Sequence, residues 1–144
     1  ELGVEKIKTI GDAYMAVCGL PVPNAKHAET MALLAGRILI CLEEFNACNG
    51  TQLKMRIGLH CGPVVAGVIG TSKFIYDLWG ETINMASRIE STGLPDAIQI
   101  SEAFYEALDG SYEVTPRGEI EVKGVGTVST YLLGERAVRS KVDE

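Results

Sequence analysis

The sequence lacks any long hydrophobic run. No apolar stretch approaches the roughly 18 residues that a transmembrane helix needs, and the N-terminus shows no signal-peptide pattern. We therefore expect no direct membrane insertion by this segment and a cytoplasmic location. A membrane anchor elsewhere in a longer parent protein stays compatible with that expectation.

Positive charge is also scarce. The chain has 13 Lys and Arg against 19 Asp and Glu, which gives a net charge of −6. Because a nucleic-acid or anionic-membrane surface needs a basic patch, this balance argues against a nucleic-acid partner. A small cluster of positive charge around a phosphate ligand remains compatible with it.

The cysteines and histidines lack the spacing of a metal or redox site. The four cysteines, Cys18, Cys41, Cys48 and Cys61, form neither a CxxC pair nor a zinc-binding pattern. Since three of them lie in apolar runs, we expect buried free thiols in a reducing compartment. His60 has no histidine near it in sequence, and we interpret it as a polar strand residue.

Length and apolar content predict one folded domain. A chain of 144 residues that is 47% hydrophobic can build one core but not two. It contains no internal repeat and no low-complexity linker. We place the domain at residues 1–134 and expect the charged run 135–144 to be a loose C-terminal tail.

Hydrophobic periodicity predicts the secondary structure. A hairpin is expected over residues 4–17, and a long amphipathic helix over 25–48, capped by Asn24 and stopped at Gly50. We interpret the apolar stripe of this helix as core. Further strands are predicted at 53–61, 64–69, 98–100, 112–116, 118–123 and 129–133, and further helices at 81–92 and 101–108. This order of elements predicts an α+β sandwich with helices packed on a largely antiparallel sheet.

The opening hairpin carries two charged residues, Lys8 and Asp12. Gly11 and Asp12 interrupt the alternation and place an acidic side chain at the predicted tip. A carboxylate at a rigid strand end suits a divalent cation. The alternative interpretation is an ordinary turn that uses Gly and Asp for backbone reasons.

A second polar set occurs at residues 76–88, which read Tyr-Asp-Leu-Trp-Gly-Glu-Thr-Ile-Asn-Met-Ala-Ser-Arg. Three other segments accompany it: Lys-Thr-Ile-Gly-Asp at 8–12, Arg-Ile-Gly-Leu-His-Cys-Gly-Pro-Val-Val-Ala-Gly-Val-Ile-Gly at 56–70 and Glu-Val-Lys-Gly at 121–124. Together they resemble the catalytic domain of the class III adenylyl and guanylyl cyclases, in collinear order to about Gly134. The resemblance implies a ferredoxin-like core.

The resemblance also implies a reaction. The ribose 3′ oxygen of a nucleoside triphosphate attacks the α-phosphorus, pyrophosphate leaves, and two divalent ions, Mg²⁺ or Mn²⁺, offset the phosphate charge. Asp12 matches one of the two metal-binding aspartates of the family. The other belongs to an upstream Phe-x-Asp-Ile-x-x-Phe segment that this chain does not contain. We therefore expect a catalytic domain that lacks its N-terminal part and, with that part, one of its metal ligands.

Hydrogen-bonding capacity predicts the base. Adenine offers an amine donor and a ring-nitrogen acceptor, which the carboxylate of Asp77 and the ammonium of Lys8 match. Guanylyl members of the family place Glu and a small residue such as Cys at these positions. The pair favours ATP as substrate and cyclic AMP as product. A solvated strand charge and a turn aspartate are the alternative interpretation.

Asn84 and Arg88 are four residues apart and therefore share one face of the predicted helix. The resemblance implies that Asn84 orients the ribose and that Arg88 follows the phosphate charge as it moves to the leaving group, for which a planar guanidinium is suited. Lys123 matches the family lysine that neutralises the terminal phosphates. Without the resemblance, all three would be interpreted as exposed polar residues.

The family places its sites between two catalytic domains, which implies that Lys8 and Asp12 serve opposite sites. One chain that carries both sets predicts a head-to-tail homodimer, with a regulatory domain elsewhere in the parent chain. Two alternatives stay open. One is a catalytically silent regulatory or dimerisation domain of the same fold, which the missing aspartate favours; the other is a guanylyl cyclase, which Lys8 and Asp77 disfavour.

Overall fold

The computed structural model describes residues 4–10, 13–18, 26–62, 65–69, 75–79, 81–122 and 124–136. Its strands are β1 (Val4–Ile10), β2 (Ala13–Cys18), β3 (Arg56–Leu59), β4 (Val65–Ile69), β5 (Ile75–Trp79), β6 (Ala97–Ser101), β7 (Tyr112–Val122) and β8 (Gly126–Arg136). Its helices are α1 (His27–Asn49), α2 (Glu81–Ser91) and α3 (Glu102–Leu108). Within the described ranges, none of these helices combines the length and the apolar character needed to cross a bilayer.

A four-stranded sheet in the order β3-β6-β8-β7 joins the two halves of the chain. β3 and β6 are parallel, and the crossover between them contains α2, whereas β6–β8 and β7–β8 are antiparallel. The β1–β2 and β4–β5 pairs are also antiparallel, and β1 contacts β5. The predicted α+β class with largely antiparallel pairing is confirmed.

β6 is buried on both of its faces. Ile98 and Ile100 belong to the main core, together with side chains of α1, α3 and β3. Gln99, which lies between them in sequence, bonds instead to α2. Because successive strand residues point to opposite faces, α1 and α3 lie on one side of the sheet and α2 on the other.

The long helix α1 is confirmed, with two corrections. Its N-cap position is Lys26, whose side chain does not cap the helix, and the predicted cap Asn24 lies outside the described residues. The stripe packs on the core as far as Leu39, with Ala28 and Ala35 buried, whereas Phe45 is 50% exposed. The helix ends as predicted at Gly50, whose φ of 65° favours glycine.

The predicted free thiols are confirmed for Cys41, Cys48 and Cys61. Their predicted burial is wrong for Cys41, which is exposed, as Cys48 is too. Cys18 and Cys61 are half-buried. The exposed cysteines follow from the half of α1 that extends past the core.

β3 begins three residues later than predicted, and Leu53 and Met55 are exposed. Asn46 of α1 explains this, because its amide donates to the Leu53 carbonyl at 2.9 Å and accepts from the Leu53 N–H at 3.1 Å. The backbone groups of Leu53 are thus bound to the end of α1. They are not available to extend the sheet.

Three further strands differ from their predictions. β5 is a strand that the sequence pattern did not predict. β7 is continuous where two strands were expected, and its register shifts between Pro116 and Gly118, where proline has no N–H to donate. β8 extends to Arg136, so residues 135–136 of the predicted tail are strand.

α2 lies unusually close to β3 at Gly58. A β-carbon there would overlap the backbone nitrogen of Glu90 and lie 2.6 Å from its Cα. Arg56 closes the same contact, because its Nε donates to Glu90 Oε2 at 3.0 Å. The absence of a side chain at position 58 therefore sets the distance between helix and sheet.

We expect Gly58→Ala to lower the free energy of unfolding by about 1–3 kcal/mol, since the added methyl group must push two backbones apart. The control is Gly36→Ala in α1, where nothing lies within 4 Å of an added β-carbon. It should stabilise by up to about 1 kcal/mol through helix propensity. Urea unfolding of both variants measures the difference, and equal effects would contradict the close approach.

His60, just after β3, bonds to the end of β6. Its Nδ1 lies 2.6 Å from Ser101 Oγ, and this oxygen accepts from the Phe104 N–H at 3.2 Å. The predicted capping of α3 by Ser101 is thus confirmed. Burial lowers the pKa of His60, because an imidazolium loses hydration there.

Stability should consequently depend on pH through His60. Below the ordinary histidine pKa of 6.5, the unfolded chain binds a proton at His60 more readily than the folded state does. The free energy of unfolding therefore falls as the pH drops through that value. The decrease ends once the pH is below the lowered pKa of the folded state. In His60→Asn this component should disappear, which urea midpoints between pH 5 and 8 would show. An unchanged pH dependence would refute the assignment.

Candidate functional site

α2 presents one polar and one apolar face, and Asn84 and Arg88 share the polar one, as predicted. Asn84 and Arg88 are exposed, whereas Met85 and Ile89 are buried. The two buried side chains pack against Val122 near the end of β7. This packing brings the polar face of the helix beside the β7–β8 hairpin.

Arg88 lies at the edge of an open cleft of about 590 Å³. The cleft is lined by Arg88, Glu121, Val122, Gly124, Val125 and Gly126. Arg88 Nε donates to the carbonyl oxygen of Glu121 at 3.3 Å. Its Nη1 and Nη2 make no hydrogen bond to the described part of the chain.

The β7–β8 hairpin turns tightly beside Arg88. Val122 pairs with Gly126, and the Val125 N–H donates to the Val122 carbonyl at 3.0 Å. Gly124 and Gly126 have φ values of 83° and 107°, a conformation that favours glycine. The closely spaced glycines 124 and 126 were the available signal for this wall of the cleft, which the sequence prediction missed.

The carboxylate of Glu121 has a partner other than the guanidinium of Arg88. Its Oε1 accepts from the Thr127 hydroxyl at 2.8 Å across the hairpin. Only the backbone carbonyl of Glu121 bonds to Arg88. The positive charge of Arg88 is therefore not cancelled by an ion pair within the described residues.

Lys8 and Asp77 lie on two strands that contact each other, β1 and β5. Lys8 pairs with Met15 after a register shift, and Asp77 pairs with Gly67. β5 also contacts α2, which carries Asn84 and Arg88. The elements that hold these four predicted site residues are thus contiguous.

Two predicted site residues, Asp12 and Lys123, lie outside the described residues. The hairpin that was predicted to present Asp12 is confirmed up to its last pair, Ile10 with Ala13. In the described part of the chain, no group of three or more His, Cys, Asp or Glu is placed to hold a metal ion. A metal site remains a prediction that depends on Asp12.

Comparison with known proteins identifies relatives of two kinds. The family model for the adenylate and guanylate cyclase catalytic domain matches residues 1–135. Guanylate cyclase soluble subunit beta-2 of Rattus norvegicus is 46% identical over 132 residues, which are 90% of this chain and 19% of that protein. Adenylate cyclase of Mycobacterium bovis is 42% identical over 135 residues, which are 93% of this chain and 30% of that protein.

A solved structure shows the same fold. The guanylate cyclase domain of RhGC from Catenaria anguillulae, in complex with GTP, superposes with a TM-score of 0.87 at 39% identity. The match covers 94% of this chain and 75% of that one. The chain spans less than a third of the length of the two curated relatives, at 19% and 30%.

Proposed function

Because the chain belongs to the family of adenylate and guanylate cyclase catalytic domains, we propose that it is an adenylyl cyclase domain, which converts ATP to 3′,5′-cyclic AMP and pyrophosphate. Family membership makes it a nucleotide cyclase domain and leaves the base open, since the adenylate and guanylate relatives are 42% and 46% identical. The choice of adenine depends on Lys8 and Asp77. The observation that carries it is the contact between their strands, β1 and β5.

Adenine presents a donor and an acceptor on the edge that distinguishes it from guanine. A carboxylate accepts from the exocyclic amine, and an ammonium donates to the ring nitrogen. Guanine reverses both groups, so the same pair would face it with like partners. A site built from such a pair discriminates strongly, because the wrong base leaves polar groups unpaired.

The phosphate chemistry would use the polar face of α2. As the ribose 3′ oxygen forms its bond to the α-phosphorus, the bond to the β-phosphate oxygen breaks and negative charge moves onto pyrophosphate. The Nη donors of Arg88, which no described residue occupies, can follow that charge. Asn84, one helical turn earlier, would orient the ribose, and Lys123 would neutralise the terminal phosphates.

The proposal includes two divalent ions, Mg²⁺ or Mn²⁺, and Asp12 is the one ligand for them that it names in this chain. When bound, they would supply charge neutralisation at the phosphates. The described residues offer no complete donor set. We propose that Asp12 of one chain meets the base and phosphate residues of a second chain in a head-to-tail homodimer, since one chain carries both sets.

Guanylyl cyclase activity is the second candidate. It is favoured by the 46% identity to a guanylate cyclase subunit and by the structural match to a guanylate cyclase domain bound to GTP. The two candidates differ in the base alone. One substrate-competition experiment therefore separates them.

The double variant Lys8→Glu with Asp77→Cys should shift base preference. We expect the ratio of kcat/KM for ATP over GTP to fall by at least about tenfold, because each exchange removes a match to adenine. Turnover with Mn²⁺ and each nucleotide, in the protein at its full natural length, measures it. A ratio that stays the same in the double variant, or that favours GTP in the unaltered protein, would refute adenine selection.

Arg88→Ala should lower kcat by about 10²–10³-fold with much less change in nucleotide affinity, since its donors act mainly on charge that develops in the transition state. The control is Arg37→Ala, which removes another exposed arginine, on α1 at the opposite side of the sheet. It should leave both constants unchanged. Weaker nucleotide binding with unchanged kcat would contradict the proposed role.

A further inference from the structure

Gln99 is a buried polar residue whose side-chain amide groups all have hydrogen-bond partners. It has no exposed surface. Its Nε2 donates to the Ile89 carbonyl at 2.6 Å and to Thr92 Oγ1 at 2.9 Å, and its Oε1 accepts from Arg117 Nη1 at 2.7 Å. Both amide hydrogens and the amide oxygen thus have partners, two of them at the end of α2.

The hydrogen bonds from Gln99 supply donors at the C-terminal end of α2. The Ile89 carbonyl belongs to the last turn of α2, where carbonyls lack intrahelical partners. The Arg88 carbonyl accepts from the Thr92 hydroxyl at 2.7 Å, from the Thr92 N–H at 3.1 Å and from the Ser91 hydroxyl at 3.2 Å. Gln99 therefore binds the Ile89 carbonyl directly and orients the Thr92 hydroxyl, which is one of three donors to the Arg88 carbonyl.

Arg117 determines which way the amide of Gln99 points. Because its guanidinium can only donate, it requires the amide oxygen on its side and leaves the amide nitrogen for the helix. Arg117 is exposed and lies on β7 at the register shift. The end of α2 is thus connected to β7 through two side chains.

Among the described residues, few groups hold the side chain of Arg88. Its described side-chain hydrogen bond, from Nε to the Glu121 carbonyl, is long at 3.3 Å. The direction of an exposed side chain on a helix is set first by the position of its own backbone. A displaced final turn would carry the Nη donors away from the cleft.

We propose that Gln99, oriented by Arg117, is a positioning residue for Arg88. It holds the last turn of α2 so that the guanidinium stays beside Glu121 with its Nη donors facing the cleft. The inference rests on the proposed role of Arg88 in phosphate chemistry. It makes Gln99 responsible for turnover without contact to the substrate.

Gln99→Glu is the sharpest variant, because it keeps the shape and the Arg117 contact but puts an oxygen against the Ile89 carbonyl. We expect kcat to fall about tenfold with little change in KM. In the Arg88→Ala background the same change should cost less than about twofold, since the group being positioned is gone. A merely structural role would cost the same factor in both backgrounds and would overturn the proposal.

The matched control is Ser101→Ala on the same strand. It removes the cap of α3 and should lower the unfolding midpoint without changing kcat. A similar loss of kcat in this control would show that any damage to β6 suffices. That result would also overturn the proposal.

A measurement that needs no turnover is the hydrogen exchange of Arg88 Nε–H by NMR, with the signal identified by its loss in Arg88→Lys. The second variant is Arg117→Met, a surface change that leaves the buried amide in place. Exchange should accelerate at least about threefold in Gln99→Glu and Arg117→Met and stay the same in Ser101→Ala. Unchanged exchange in the first two would overturn the proposal.

The two kinds of failure are distinguishable. If Arg88→Ala leaves kcat unaltered, the proposed role of Arg88 is wrong, whereas the exchange rates still decide whether Gln99 positions it. If Arg88→Ala abolishes turnover but the exchange of its Nε–H ignores position 99, only the positioning inference is wrong.

Discussion

The close seating of the α2 C-terminal turn on the β3–β6 face is the contact on which the rest of the structure depends. Gly58 and Gln99 are register partners in that face. Gly58 admits the helix backbone because it has no side chain, and Gln99 satisfies a carbonyl that the approach would otherwise bury without a partner. Two neighbouring residues of a parallel strand pair thus provide the α2 backbone with both the space for close approach and a hydrogen-bond partner.

This contact links the sheet to the chemistry of the site. α2 seated in this way packs Met85 and Ile89 against the β7–β8 hairpin. Its polar face then presents Arg88 to a cleft whose wall is made by a glycine-dependent turn. The same sheet separates the site from the main core of α1 and α3. Changes in that core should therefore affect stability more than turnover.

Features set by neighbours in sequence could be predicted from the sequence. The polar face of α2, the cap at Ser101 and the stop at Gly50 all follow from patterns a few residues long. Long-range features could not be predicted in this way. The role of Gln99 depends on partners 10 and 18 positions away, and its only local sign is a polar residue between two isoleucines.

The strand errors have similar causes. The start of β3 is displaced by Asn46, seven residues before Leu53, which competes for the same backbone groups. β5 is five residues long and carries Asp77 at its centre, so its polar motif masked its strand character. Lys8 and Asp77 are on contacting strands, as the adenine proposal needs, whereas the predictions for Asp12 and Lys123 fall on residues outside the described ranges.

A slip of β6 by a single residue would exchange its two faces. Isoleucine side chains would then face helix carbonyls that lack partners, and an amide would be buried among apolar side chains. A shifted register of β6 would thus be destabilising on both sides of the strand. The alternation of residues in β6 therefore favours the correct assembly of the whole sheet.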